Sequence, residues 1–494
     1  MNVIVILADS LRFDYLGCYG NTWIKTPNID KFAEESTLFE NAYAEGLPTI
    51  PVRKACFTGR YTLPFSGWQP LQPDEKVLSE ILFWKGIRSA LITDTLPMHM
   101  PKFGYERGFD FVEFIRGGEF DPFYANVPLR IEVENYYKPI YEESKRGKKK
   151  ENVNSLLARN ALNYRLRQTQ DWKTDEDQCV AEVCKTAMGY LDNLRKKDNI
   201  FLWVDSFDPH EPWDPPSVYD PDMPCPYDLN YDGKDIIAPV STYVDGYLTE
   251  EEIHHIRMLY AEKVTMVDKW IGKLFDKLKQ LELFDDSLII FLSDHGEPLG
   301  NKEHGHGIIT KCRPWPYEEL AHIPLIIHHP DGTKKRVASF VETVDIAPTI
   351  IDFYKMKQKD YMQGKNLAPL LRGEIEKLKE FAIAGYYNFS WSIQTEDWSY
   401  IHWIENKDPE AIKLISMYGL KMWENTEIWT CVPGSVPELP ETDELYNRKK
   451  DQFQLNDLTA QEPDIAHELY QKLRDYMLEL RTSKNKSKKE RLLV

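Results

Sequence analysis

The chain has 494 residues, of which 42% are hydrophobic and 13% aromatic, enough to pack one large domain with a smaller one attached. A formal net charge of −18 excludes a protein that coats nucleic acid by charge and gives a soluble, self-repelling surface. Seven scattered cysteines point to a reducing, cytoplasmic setting, the N-terminal NVIVILAD is too short for a signal segment, and no apolar run of about 18 residues offers a membrane span.

In chain order, NVIVIL from Asn2 is a continuous apolar run, as expected of a strand buried on both faces. VLSEILFWKG reads as helix and leads into a second run, ALIT at 90–93. NIFLWVDSF from Asn199, SLIIFLSDHGE, and PLIIHHP from Pro324 are three more such runs. Between them, Val264, Val267, Ile271, Leu274 and Leu278 step by three and four, one apolar stripe turned to a sheet. Strands alternating with helices predict an α/β fold, a large and mostly parallel sheet covered by helices on both faces. Chemistry in such sheets gathers beyond the carboxyl ends of the strands. Asp9, Thr93 to Thr95, Asp208 to His210, and Asp294 with His295 all stand just after apolar runs. Residues 119–175 show no regular pattern, include the basic run 145–150, and read as an insertion able to roof a site. The basic tail 481–494 reads as frayed.

The stretch Thr49 to Arg60, TIPVRKACFTGR, places a hydroxyl at the mouth of a helix with an arginine one turn inside it. Pro51 suits a first helical turn, where a missing N–H costs nothing. Helix-start N–H groups favour an anionic oxygen, and Thr49 and Arg53, four apart, can address one ligand. The same residues also read as an ordinary N-capping threonine with a surface arginine.

This stretch resembles the signature of the sulfatase family of the alkaline phosphatase superfamily, C/S-x-P-x-R followed by x-x-x-L-T-G-R. Thr49, Pro51, Arg53, Thr58, Gly59 and Arg60 match in register, with Phe57 in the apolar slot. Further segments are similar to that family at 26–44, 105–118, 317–327, 344–353 and from Asp443 onward. The resemblance implies a catalytic domain over 1–375 and a small C-terminal α+β subdomain over 376–480, with a short antiparallel sheet and a closing helix. It also exposes a departure. The family carries cysteine or serine where Thr49 stands, oxidised there to formylglycine, and threonine yields at best a ketone. Cys56 lies well inside the helix and reads as a buried apolar cysteine.

The resemblance implies a metal site of Asp9, Thr49, Asp294 and His295, with Ser10 where the family has a second aspartate. Removing a carboxylate and adding an imidazole makes the site less calcium-like and better suited to zinc, manganese or iron, with calcium kept as an alternative. Asp, Thr, Asp and His together resemble the nucleophile-side metal site of nucleotide pyrophosphatase-type phosphodiesterases. SDHGE also reads as a strand ending in solvated charges. His210, in DPHEPW, matches the family histidine that contacts the ester or leaving group, and Lys311 the lysine that holds the anion. His304 and His306 compete with Lys311 or serve a second metal. At 93–99 the family lysine is absent, and Asp94, Thr95 and His99 stand there as candidate substrate contacts; His99 also reads as a surface histidine.

Thr49, Arg53, His210 and Lys311 are thus the expected catalytic residues. A threonine ester lacks the exit route of a formylglycine hydrate and must be cleaved by water at phosphorus or sulfur. The expected activity is metal-dependent hydrolysis of a small anionic ester, a phosphodiester or phosphonate monoester. Sulfuric ester hydrolysis without formylglycine is the close alternative, and a retired, anion-binding protein the third. The expected partner is the small-molecule ester alone, without membrane or nucleic acid, and self-association stays open.

Overall fold

The structure is a computed structural model that describes every residue except 101, 119–120, 144–146, 195–198, 221, 301, 303–305, 312–314, 388, 405–439, 441 and 492–494. Eight strands form one sheet in the spatial order Lys335–Glu342, Thr37–Tyr43, Leu325–His328, Ser287–Ser293, Asn2–Ala8, Ile200–Ser206, Arg88–Thr93 and Phe111–Phe114. Asn2–Ala8 lies centrally and pairs in parallel with both neighbours. Only Leu325–His328 runs against the strands beside it. All five apolar runs are strands of this sheet. Thr37–Tyr43, Phe111–Phe114 and Lys335–Glu342 escape an apolar-run reading because charged and polar residues interrupt them.

The period of two along the central strand divides the core into two layers. Ile4, Ile6 and Ala8 pack with Val264, Val267, Ile271, Leu274 and Leu278 of the helix Glu250–Gln280, and with Val180 and Val183 of Cys179–Asp192. Val3, Val5 and Leu7 face the opposite way, onto Ile50, Val52 and Phe57 of the helix Thr49–Thr58 and Ile346 and Ile350 of Ile346–Phe353. Each such side chain, fully buried, contributes about 1.5–3 kcal/mol. Thr249 and Glu252 exchange hydrogen bonds at the start of Glu250–Gln280, a capping box that sets its first turn.

A second, antiparallel sheet of Ala382–Tyr386, Ser390–Gln394, Trp398–Trp403 and Glu444–Asn447 follows. The helix Pro463–Arg491 closes over it through Leu469, Leu473, Met477 and Leu480, which join Ala55 and Val344 in a third apolar cluster. That helix extends into the basic tail as far as Arg491. The segment 119–175 is likewise not without pattern, since Val153–Thr169 is a helix with Leu162 and Leu166 buried one turn apart. Its inner face also buries Arg165 on Asp214, and that ion pair hides the apolar period from the sequence.

Candidate active site

The helix Thr49–Thr58 is buried along its whole length, begins after Pro48, and ends on Gly59 in the left-handed region. Thr49 itself has φ +26°, a conformation that costs a β-branched residue about 1–3 kcal/mol. Ser10 (φ +59°) and Thr310 (φ +58°) are strained in the same sense. Three of the six such non-glycine residues among those described therefore cluster at the ends of segments facing one another. Stored strain of this kind marks sites where position is imposed by function rather than by packing.

Thr49 Oγ1 lies 3.1 Å from His295 Nε2. Around that imidazole, Asp294 Oδ2 is 3.5 Å away and Asp9 Oδ1 3.8 Å. One ligand atom from each of Asp9, Asp294 and His295 falls within 4.8 Å of the others, and all three residues are buried. His295 Nδ1 donates to the Gly296 carbonyl at 2.7 Å, which leaves the Nε2 lone pair directed at the carboxylates. A Cβ on Gly296 would meet the Glu319 carbonyl oxygen at 2.1 Å, so only glycine lets this turn form. Burial lowers the imidazole pKa to about 4 against the pull of Asp294, and the ring is neutral at pH 7. Burial works to raise Asp294, yet His295, Arg53 and the Ser10 N–H hold it below the usual carboxylate range. Burial and the Asp294 charge push Asp9 up, and its Oδ2 is held by an ion pair with Arg53 Nη2 at 3.0 Å rather than by a well-formed hydrogen bond. Two close carboxylates, a neutral imidazole lone pair and a hydroxyl fit a divalent ion. Asp9, Thr49, Asp294 and His295 are the residues that would hold it.

Arg53, expected to address the anion, is bound to carboxylates in the structure. Its Nε and Nη2 bind Asp205 at 3.0 and 2.7 Å, Nη1 binds Asp294 Oδ2 at 2.6 Å, and Nη2 lies 3.0 Å from Asp9 Oδ2. Three buried carboxylates consume the guanidinium's donors, and the residue is wholly inaccessible. Asp205, which also accepts from Trp203 and Thr95, was missed because it sits inside the strand run NIFLWVDSF rather than after it. A charged residue in an otherwise apolar buried strand was the available signal.

At the rim, Lys311 Nζ reaches Ser10 Oγ at 2.9 Å, Glu297 Oε2 at 3.3 Å and Glu211 Oε2 at 3.6 Å. Ser10 Oγ donates to Asp9 Oδ1 at 3.0 Å, so this residue orients a ligand and links it to the lysine. Burial raises the Glu297 carboxyl to about 8, with Lys311 acting against it. Burial opposes the Lys311 charge, but Glu211 and Glu297 raise its pKa, keeping it cationic. Glu211 and Glu297 were not anticipated. They flank His210 and His295 in sequence, and adjacency to a candidate histidine was the signal.

The other expected substrate contacts do not converge on the site. Thr95 gives its hydroxyl to Asp205, and Asp94 accepts from the Phe207 N–H at 2.6 Å, both fully buried beneath the ligand layer. His99 is exposed and lies flat on Phe114, ring centroids 4.1 Å apart. His306 bonds the Gln454 carbonyl and stacks on Tyr317, facing the small sheet's side of the molecule. His304 lies outside the described residues. Cys56 is buried with its thiol pKa raised by desolvation, as an inert core cysteine.

Residues 1–356 match the Sulfatase family. The chain belongs to that family. Residues 305–427 also match the family of the N-sulphoglucosamine sulphohydrolase C-terminal region. An arylsulfatase of Clostridium perfringens is 26% identical over 431 residues, 78% of this chain and 82% of the relative. A multifunctional alkaline phosphatase superfamily protein of Trinickia caryophylli is 25% identical over 431 residues, 75% and 77% of the two chains. The crystal structure of a phosphonate monoester hydrolase of Agrobacterium radiobacter superposes with a TM-score of 0.66 at 20% identity, covering 97% of this chain and 95% of that one. The fold is that of this superfamily, and the protein is an ester-bond hydrolase of a metal-dependent class.

Proposed function

We propose that the protein hydrolyses phosphodiesters or phosphonate monoesters, with the Thr49 hydroxyl as nucleophile at the formylglycine position of the family. The observation that carries this reading is Thr49 Oγ1, 3.1 Å from His295 Nε2 at the mouth of a buried helix. A divalent ion held there, manganese or zinc by its donor set, supplies a lowered hydroxyl pKa and a polarised oxyanion. Thr49 carries a methyl on Cβ and so cannot become the aldehyde whose hydrate expels sulfate. Lys311 would meet a non-bridging oxygen of the ester, a role supported by its contact with Ser10 Oγ at the rim. Arg53 serves by neutralising Asp9, Asp205 and Asp294 rather than by touching substrate. Hydrolysis of a sulfuric ester is the second reading, favoured by the family match and the arylsulfatase relative.

A cytoplasmic setting belongs to the same proposal, supported by the five free cysteines among the described residues. No described helix is long and apolar enough to cross a membrane.

The test is a rapid quench of the manganese-loaded enzyme turning over 4-nitrophenyl phenylphosphonate, followed by peptide mass mapping. A phenylphosphonyl group on Thr49 is expected. Turnover that survives in Thr49→Ala, with no label on the wild-type peptide, would overturn the reading.

A further inference from the structure

The loop after Ile200–Ser206 holds a histidine and a glutamate whose geometry the nucleophile reading leaves unused. His210 Nδ1 lies 2.6 Å from the Glu211 carbonyl oxygen and 3.0 Å from Glu211 Oε2. Carbonyl and carboxylate oxygens only accept, so Nδ1 carries the proton and Nε2 keeps its lone pair. Among the described residues no protein group hydrogen-bonds Nε2. The ring stacks on Phe207 with centroids 3.8 Å apart, which sets its plane. Glu211 Oε2 is buried, has no hydrogen-bond partner of good geometry, and sits 3.6 Å from Lys311 Nζ. That lysine is 2.9 Å from Ser10 Oγ, so the pair is tied to the edge of the ligand cluster. The loop itself is pinned by Lys263, whose Nζ meets Asp208 Oδ1 at 2.5 Å, Asp214 Oδ1 at 2.9 Å and the Pro212 carbonyl at 3.1 Å.

A threonine ester creates a need that an aldehyde hydrate does not have. Water must attack the transferred group, and its proton must go to a base. We propose that His210 is the base for this second half-reaction and that Glu211 is its positioning residue. The proposal rests on the Thr49 reading above. The water oxygen bonds to phosphorus while the bond from phosphorus to Thr49 Oγ1 breaks, its electron pair going to Oγ1. The water proton passes to His210 Nε2 and is then returned to the Thr49 oxygen. Burial, with the Lys311 charge, keeps the imidazole neutral before this transfer.

The test uses 4-nitrophenyl phenylphosphonate, whose nitrophenolate leaves without needing a proton, so the two halves separate. In His210→Ala, release of about one equivalent of nitrophenolate should remain fast while steady turnover falls about 10²- to 10⁴-fold, the usual contribution of a general base. The Thr49 adduct should accumulate in that variant. Glu211→Ala should show the same split with a loss of about 10- to 100-fold, the range for groups that orient a histidine, and Glu211→Gln should recover most of it. A defect confined to folding would slow both halves alike, and His210→Asn, of similar size, repeats the test if His210→Ala melts early. Equal slowing of both phases, no accumulated adduct in a variant that turns over, or a Glu211→Ala enzyme indistinguishable from wild type would each overturn the inference. Turnover surviving in Thr49→Ala fails the nucleophile reading instead, so the two failures are distinct.

Discussion

Thr49 Oγ1 stands 3.1 Å from His295 Nε2 although 246 residues separate them. The contact joins the mouth of the helix Thr49–Thr58 to the end of the strand Ser287–Ser293, and both residues are buried. On the proposed mechanism this hydroxyl is the attacking group. Thr49→Ala should therefore lower kcat by at least about 10³-fold, while Thr49→Ser, which keeps the oxygen, should retain measurable activity. Steady-state kinetics on purified, metal-loaded variants decides it, and equal activity of Thr49→Ala and wild type would remove the hydroxyl from the mechanism.

Arg53 is the sole arginine paired with Asp9, Asp205 and Asp294 among the described residues, and it is itself fully buried. Removing one partner of a buried ion pair costs about 3–5 kcal/mol because the charges left behind stay desolvated. Arg53→Ala should lose stability on that scale, and Arg53→Lys should not restore it, since an ammonium cannot bridge Asp205 in two-pronged fashion. Arg60→Ala, at the helix end, should cost much less. Urea unfolding midpoints compare the three, and an unshifted midpoint in Arg53→Ala would contradict this role.

Much of this arrangement was legible in the residues alone. Continuous apolar runs marked five strands, and Asp9, Asp294 and His295 stood just beyond two of them, where parallel sheets place ligands. Thr49 was visible from the proline and arginine at helical spacing after it. The partners of Arg53 were not, because three carboxylates brought together from separate strands leave no local pattern. The surroundings of Asp94, Thr95 and His99 were hidden for a related reason. Position after a strand shows which end of the sheet a residue occupies, but not whether its side chain faces substrate or the layer beneath. Phe111–Phe114 and Thr37–Tyr43 escaped because their polar residues break the apolar run that buried strands display.

Asp214 is buried between Arg165, at 2.8 and 3.1 Å, and Lys263, at 2.9 Å. Burial opposes its charge, but Arg165 and Lys263 prevail and hold its pKa at about 2. Since the folded value lies below the unfolded one of about 3.9, the stabilisation is complete above about pH 5 and drains away as pH falls toward 2. The contribution is about 2–3 kcal/mol. Asp214→Asn should be destabilised at pH 7 and should show a flatter loss between pH 5 and pH 3 than wild type. Parallel wild-type and variant curves of urea midpoint against pH would contradict it.

A divalent ion held, as proposed, by Asp9, Thr49, Asp294 and His295 would bind the folded chain and not the unfolded one. Manganese or zinc at a hundred times its dissociation constant should add about 2.7 kcal/mol of stability and raise Tm. His295→Ala and Asp294→Ala should abolish that rise, and prolonged chelation should remove activity that added metal restores. A rise of the same size in His295→Ala would place the ion elsewhere.

The most direct measurement is the ratio of kcat/KM for 4-nitrophenyl phenylphosphonate to that for 4-nitrophenyl sulfate, on protein whose residue 49 is confirmed by mass as unmodified threonine. The leaving group is shared, so the ratio reports the transferred centre and the fate of the ester on Thr49. A ratio well above one, with both activities lost in Thr49→Ala, is the predicted result. Good hydrolysis of the sulfate with none of the phosphonate would contradict the account and make the protein a sulfatase that works through a threonine hydroxyl.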